Sequence, residues 1–556
     1  MLKSYIIQLL LIVTLLNSCN VKKSILDRPN IESYTINKEK RITINDTLLF
    51  KGTNSLRKNS YGQWELLAIG ENPLDLGNTI GDLSKELLTH QEEVFLEKVN
   101  QLVPSKFKQY LLRKFLAIYN RKIHLYVKEE YKAEIYGISQ YASDKYNKIA
   151  DKYLLSLYLH SAHDIGHALQ DLALVGCTSF AVWDKQTEDG KLLIARNFDF
   201  YAGDAFSKEK IIYFIQPEKG YKYMSVSWAG MIGVMSGMNE KGLTVTINAG
   251  KSDIPLVAKT PISLVTREIL QYAANIEEAI TIAKKKEVFV SESIMVGSAA
   301  DNKAVLIEIA PKKIGVYEVP NTTQLVCANH FQSKTYKNDE NNQKQIAESH
   351  SKYRFDRMQE LLTQNKKITP QKAVNILRNK EGLQNKKIGY GNEKALNQLL
   401  AHHGIVFQPH KKMVWVSANP YQLGEFVAFQ LDSVFKKATT KTSSLSIKNL
   451  TIKKDPFIKT EAYRNYEKFR TEKKEIEQII EEKKHLPIKK INNFVALNPN
   501  SWEAYALIGK YYYQKKQYRA SLNAYKKALT KEVTTIPDKK MIEKYIKKNK
   551  RKLHDF

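Results

Sequence analysis

Cys177 follows Gly176 and opens the apolar run Thr178-Ser179-Phe180-Ala181-Val182, and the next such run ends in Ala195-Arg196-Asn197-Phe198-Asp199. A thiol at a strand end, with a guanidinium and a carboxylate on the neighbouring strand, has the parts of an activated nucleophile. Were the chain cut between Gly176 and Cys177, Cys177 would carry a thiol and a free α-amine whose ordinary pKa of about 7.7–8.0 lies well below that of lysine. One residue would then supply nucleophile and base together, and no histidine would be needed. Arg196 would lower the thiol pKa by its fixed charge, and Asp199 would hold the new ammonium group. Amides aimed at the developing oxyanion would complete such a site. Taken singly, the same residues read as a buried structural thiol and a surface ion pair; it is their combination that carries the catalytic reading.

These groups need a rigid frame. From Cys177 the apolar period falls to about two, with runs at 179–183, 192–195, 211–215, 223–226, 232–235, 243–247, 294–297, 305–309, 314–319, 325–328, 404–408 and 413–417. Helical patterns at 261–274, 276–286, 353–364 and 370–377 are interposed, so the class is α+β with helices packed on sheets. Upstream, Leu83, Leu87, Leu88, Val94, Leu96, Val99, Leu102, Tyr110, Leu111, Phe115 and Leu116 recur at three- and four-residue steps, which predicts helices from about residue 61 to 167. His160, His163, Asp164 and His167 would share one helix face there. That spacing could hold zinc, but no acidic or cysteine ligand set follows, and the site is read without metal or cofactor.

The first residues point to export. Lys3, the apolar stretch 5–16 and Leu16-Asn17-Ser18-Cys19 resemble a bacterial lipoprotein signal, with Cys19 as the lipidated first residue of the mature chain. The apolar stretch is too short to span a bilayer. The expected localisation is therefore the cell envelope, on a membrane through a lipid anchor. A net charge of +29 accompanies no nucleic-acid-binding motif, so an anionic membrane surface is the expected partner and nucleic acid is not. Only three cysteines occur, Cys19, Cys177 and Cys327. A Cys177–Cys327 bridge is arithmetically open, but the surroundings of Cys177 favour a reactive site.

Beyond about residue 445 the strand signal stops. Residues 502–535 fit a tetratricopeptide repeat, with Trp502, Ile508, Gly509 and Tyr512 on one helix and Ser521, Tyr525 and Ala528 on the next. A single repeat cannot bury its own apolar face, so this tail is expected to dock on the body or on a protein partner.

Five motifs in order carry a resemblance. Gly176-Cys177-Thr178-Ser179-Phe180, Arg196-Asn197-Phe198-Asp199, Gly237-Met238-Asn239-Glu240-Lys241-Gly242-Leu243, Asn329-His330-Phe331 and Ser351-Lys352-Tyr353-Arg354-Phe355 look like the signature of the penicillin (isopenicillin N) acyltransferase branch of the N-terminal nucleophile hydrolases. That branch is related to choloylglycine hydrolases, penicillin V acylases, acid ceramidase and the phospholipase-B-like proteins. Gly70-Glu71-Asn72-Pro73 and Gly77 look like its N-terminal segment.

The resemblance implies a four-layer αββα sandwich matured by autoproteolysis at Gly176-Cys177. It implies Cys177 as nucleophile and base, Arg196 and Asp199 as its immediate partners, and Arg354 as a supporting cation. Asn329 would steady the nucleophile or the oxyanion, and Asn248 would be the oxyanion donor. His330 and the pair His402-His403 have no part in that mechanism.

The expected segments are a signal (1–18), a tether (19–50), a helical N-terminal segment (51–176), the αββα catalytic domain (177–435), a helical linker (436–490) and the tetratricopeptide-like tail (491–556). The expected activity is hydrolysis or acyl transfer on a linear amide or thioester of an acylated small molecule or lipid, such as an N-acyl amino acid or lipid amide. The other reading is an inert lipid-anchored scaffold whose tail binds an envelope partner; the intact Gly176-Cys177, Arg196 and Asp199 argue against it.

Overall fold

The computed structural model describes residues 19–168, 176–253, 257–437 and 444–554. The signal expected at 1–18, and the side chains of Cys19, His163 and His167, lie outside what is described.

Two sheets face each other. The larger has eleven strands in chain order: Ile42–Asn45, Leu48–Lys51, Asn54–Lys58, Trp64–Ile69, Ile211–Gln216, Tyr223–Ser227, Ser236–Asn239, Leu243–Ala249, Glu292–Ser298, Lys303–Ala310 and Lys313–Tyr317. Only the pairing of Trp64–Ile69 with Ile211–Gln216 is parallel. The smaller sheet runs Gln324–Cys327, Thr178–Asp184, Gly190–Phe198, His403–Gln408, Met413–Ser417 and Phe426–Gln430, all antiparallel.

Alternate residues of both sheets meet in one apolar layer, where Leu67, Phe214, Met295 and Leu306 pack on Ile194, Cys327, Phe407 and Phe429. Fully burying each such side chain contributes about 1.5–3 kcal/mol. Ser351–Gln364 and Pro370–Leu377 cover the outer face of the smaller sheet. Ile262–Tyr272, Ile276–Lys284, Pro73–Leu83 and Glu129–Ser139 cover the larger one. The order is helix, sheet, sheet, helix, the four-layer αββα sandwich.

Residues 42–69 correct the sequence expectation. The stretch read as the end of a tether and the start of a helical segment forms four strands of the larger sheet. The first strand, Ile42-Thr43-Ile44-Asn45, alternates apolar and polar residues but has all four exposed, so its short alternation marks no buried face. Next to it, Lys51, Arg57 and Glu65 are buried charges where the period-two pattern calls for apolar residues. The run 232–235 is not a strand either. There Ile232 O accepts from Arg267, Val234 N–H donates to Ser263 O, and Met235 O accepts from Arg196, so the backbone is satisfied without a ladder.

At the C-terminal end, Glu461–Glu481, Ile488–Leu497, Trp502–Gln514, Tyr518–Leu529 and Ile536–His554 are helical. This tail lies on the body. Tyr466, Phe469 and Phe494 share an apolar cluster with Leu399, Tyr421 and Leu423, and Glu532 holds Lys386 and Lys394 at 2.7 Å each.

Pro73–Leu83 starts with Asn72 accepting from Asp75 N–H at 2.9 Å and Pro73 in the first turn. It crosses Glu129–Ser139 so closely that a Cβ on Gly77 would stand 2.0 Å from Glu134 O. Gly77→Ala is therefore expected to cost about 1–3 kcal/mol, the range for overpacking a filled interface, measured as a lower urea midpoint with an unchanged slope.

Candidate active site

Thr178 pairs with Asn197 and Ser179 with Arg196. Side chains two apart on a strand share a face, so Arg196, opposite Ser179, lies diagonal to Cys177. Its guanidinium reaches Cys177 Sγ at 3.6 Å. The same group donates to Met235 O and Ser236 Oγ at 2.6 Å each and to Ile247 O, and it lies 4.4 Å from the centre of the Phe198 ring. Burial pushes the Cys177 thiol up to about 11 against the opposing pull of Arg196, so in the continuous chain it is protonated at neutral pH. Both Cys177 and Cys327 are free thiols.

Asp199 follows this strand and is fully buried. Its backbone O accepts from Gly176 N–H at 3.1 Å. Among the described residues, neither carboxylate oxygen has a hydrogen-bond partner. Burial raises its pKa to about 7, although Arg354 and Arg196 pull it down.

Arg354, on Ser351–Gln364, reaches Cys177 from the helical layer. It donates to Cys177 O at 2.7 Å, to Thr178 Oγ1, and to Asn329 Oδ1 at 2.6 Å. Asn329 in turn donates to Ala249 O at 3.0 Å. Asn248, on the larger sheet, accepts from Ser179 Oγ at 2.7 Å and donates to Cys327 O and Ala328 O at 3.3 Å each. The structure thus gathers Cys177, Arg196, Asp199, Asn329 and Arg354 around the Gly176-Cys177 junction. Asn248 sits one shell away as a tie between the two sheets.

Four residues outside the sequence-predicted set join the junction or the side chains that contact it. Gln398 donates to Gly176 O at 2.8 Å. His350 Nδ1 lies 3.1 Å from the Arg354 guanidinium. His403 Nε2 lies 2.9 Å from Ser236 Oγ, and His402 Nδ1 lies 2.9 Å from His403 Nδ1, so both histidines extend the Arg196 network. The sequence marks them only by their place just before the strand read at 404–408, and the structure extends that strand to His403, which pairs with Phe198. His330, by contrast, braces the loop, with Nδ1 at 2.8 Å from Ser351 Oγ. On the helical side, His160 Nε2 accepts from Ile232 N–H at 3.1 Å, and Asp164 accepts from Ile262 N–H at 2.7 Å, at the start of the Ile262–Tyr272 helix.

Residues 185–420 match the family model described as acyl-coenzyme A:6-aminopenicillanic acid acyl-transferase. The match covers less than half of the chain. The matched segment holds Arg196, Asp199, Asn248, Asn329, Arg354 and Gln398, and it begins just after the Thr178–Asp184 strand that follows Cys177. A protein of Archaeoglobus fulgidus described as "Uncharacterized protein" is 26% identical over 271 residues, 45% of this chain and 44% of its own length. Protein dcd1B of Dictyostelium discoideum is 24% identical over 155 residues, 27% of this chain and 31% of its own. The chain spans less than half the length of either relative.

Among solved structures, a Caenorhabditis elegans ortholog of N-acylethanolamine-hydrolyzing acid amidase aligns at 19% identity over 42% of this chain and 93% of its own, with a TM-score of 0.32. A mutant conjugated bile acid hydrolase from Clostridium perfringens aligns at 17% identity over 46% and 92%, with a TM-score of 0.31.

The lone carboxylate has a pH signature. Its folded pKa lies above the ordinary carboxylate value, so burial of Asp199 costs nothing below about pH 4, where it is protonated folded or unfolded, and costs most once the pH has risen past 7. In an uncut Cys177→Ala chain, Asp199→Asn is expected to raise the thermal midpoint at pH 8. The gain should shrink as the pH falls through 7 and vanish below about 4, read by circular dichroism melts across that range.

Proposed function

We propose that the chain cuts itself between Gly176 and Cys177, and that the freed Cys177 is the nucleophile of an acyl-amide hydrolase or acyltransferase. The matched segment and the αββα sandwich support acyl-amide chemistry in general. The observation that carries the finer reading is Asp199: two buried carboxylate oxygens without a hydrogen-bond partner stand beside the bond whose cleavage would create an ammonium group. An uncompensated buried carboxylate is costly, and a new cation at Cys177 would relieve that cost.

In the mature enzyme the α-amine of Cys177 would take the thiol proton as the sulfur attacks an amide carbonyl. The amine product would leave with that proton, and water or an acceptor amine would resolve the acyl thioester. Arg196, 3.6 Å from the sulfur, would favour the thiolate. Asn248 and Asn329 are the proposed oxyanion groups, and both would have to trade a present backbone partner for the substrate oxygen.

A row of aromatic rings leads away from Arg196 and offers an apolar direction for an acyl group. Phe198 stacks on Phe200 at 5.8 Å, and Phe200 on Trp228 at 5.8 Å. Phe200, Phe206 and Trp228 then line a cavity of about 40 Å³ closed by Leu88, Phe95 and Met231. The substrate proposed is an acylated amphiphile such as an N-acyl amino acid or lipid amide. Lipidation at Cys19 would place the enzyme on an envelope membrane. No described helix is long and apolar enough to cross one.

N-terminal sequencing of bands from denaturing electrophoresis tests the proposal. The wild type is expected to yield a fragment beginning at Cys177, and Cys177→Ala is expected to stay whole. An uncut wild-type chain that hydrolyses acyl amides would overturn self-cleavage. Cys177→Ser turnover at the native rate would remove the thiol from the reaction.

A further inference from the structure

Gly176 supplies the carbonyl of the bond that self-cleavage would break, and that carbonyl is already held. Gln398 Nε2 donates to Gly176 O at 2.8 Å, and the Gln398 side chain is 2% exposed. The fit depends on glycine. A Cβ on residue 176 would stand 2.5 Å from Gln398 Nε2 and 2.7 Å from Oε1, so any larger residue would push the amide off the oxygen.

The loop behind Gln398 is equally constrained. Asn397 N–H donates to Asn379 O at 2.8 Å, and Asn397 Oδ1 accepts from Leu399 N–H at 3.0 Å. Leu399 has φ +56°, a left-handed conformation that a leucine keeps only where its surroundings impose it. Its side chain is fully buried in the cluster formed by Tyr466, Phe469 and Phe494 of the C-terminal helices. The tail therefore fixes the residue next to Gln398.

We propose that Gln398 is the oxyanion donor of the self-cleavage step, held in place by the C-terminal helices; this rests on the self-cleavage reading above. In that step the Cys177 Sγ–C bond to the Gly176 carbonyl forms, and the Gly176 C–N bond breaks. The thiol proton goes to the departing nitrogen, which becomes the α-amine of Cys177. Water then hydrolyses the thioester, leaving a carboxylate on Gly176 and a free thiol on Cys177. The negative charge of the addition step falls on the oxygen that Gln398 already holds, so the donor needs no rearrangement at the moment of attack.

The test is the rate at which the Cys177 fragment appears from the full chain. Gln398→Met keeps the length and loses the donor, and it is expected to slow cleavage about 10²–10³-fold while thermal melts show a folded chain. Gly176→Ala, which leaves Gln398 intact but displaces it, should slow cleavage as well. Added hydroxylamine, which captures thioesters, should leave the slow Gln398→Met rate unchanged, because formation of the S–C bond is the step affected. A wild-type rate in either variant overturns the proposal, as does recovery of the wild-type rate with hydroxylamine. A wild-type chain that is never cut fails the self-cleavage reading itself, whereas a cut wild type beside an evenly cut Gln398→Met fails Gln398 alone.

Discussion

The peptide link between Gly176 and Cys177 is gripped from three parts of the fold at once. Gly176 N–H is bound by Asp199 O from the adjoining strand, Gly176 O by Gln398 from a loop, and Cys177 O by Arg354 from the covering helix, while Arg196 reaches the sulfur. A neutral hydrogen bond of this kind is worth about 0.5–1.5 kcal/mol, and one to a charged group about 1.5–3. The larger effect is on motion. A thiol and a neighbouring carbonyl held in one geometry have already lost the freedom that an encounter would cost. The two sheets, the helical layer and the tail each supply a contact to that link or to the residue beside one, and each would lose its purpose at the site if the others moved.

Charge at the junction is distributed unusually. Arg196 and Arg354 are both fully buried, yet their hydrogen-bond partners are carbonyl oxygens, hydroxyls, an amide, a thiol and an imidazole. Pairing either guanidinium directly with Asp199 would have satisfied the carboxylate and held it ionised. Keeping the two apart leaves the cations to act through space on the thiol and the carboxylate, and leaves the carboxylate open to a later partner.

Much of this was legible from residue types alone. Period-two runs located the strands that carry Cys177 and Arg196, and the ordered motifs located Asn329 and Arg354, because strand alternation and turn chemistry are local. Asn72-Pro73 with Gly77 was legible for the same reason: a capping side chain, a first-turn proline and a tight helix crossing each leave a residue-level mark. The strands at 42–69 were not, since their buried Lys51, Arg57 and Glu65 mimic a polar linker until tertiary partners are known. Gln398, His402 and His403 were hidden more deeply. Nothing about a glutamine in a loop reveals that it meets a glycine carbonyl, and paired histidines read as packing until Ser236 is seen joining them to Arg196.

Gln398 stands 222 residues after the carbonyl it holds. At a synthesis rate of about 5–20 residues per second, the donor is made roughly 10–45 s after the bond it would help to break, and the helices that steady its loop are made later still. Under the proposed self-cleavage, the chain would lack this donor throughout most of elongation and would cut itself slowly until then. Scission would then follow the synthesis and docking of the last helices, and a truncated product would be expected to stay largely whole.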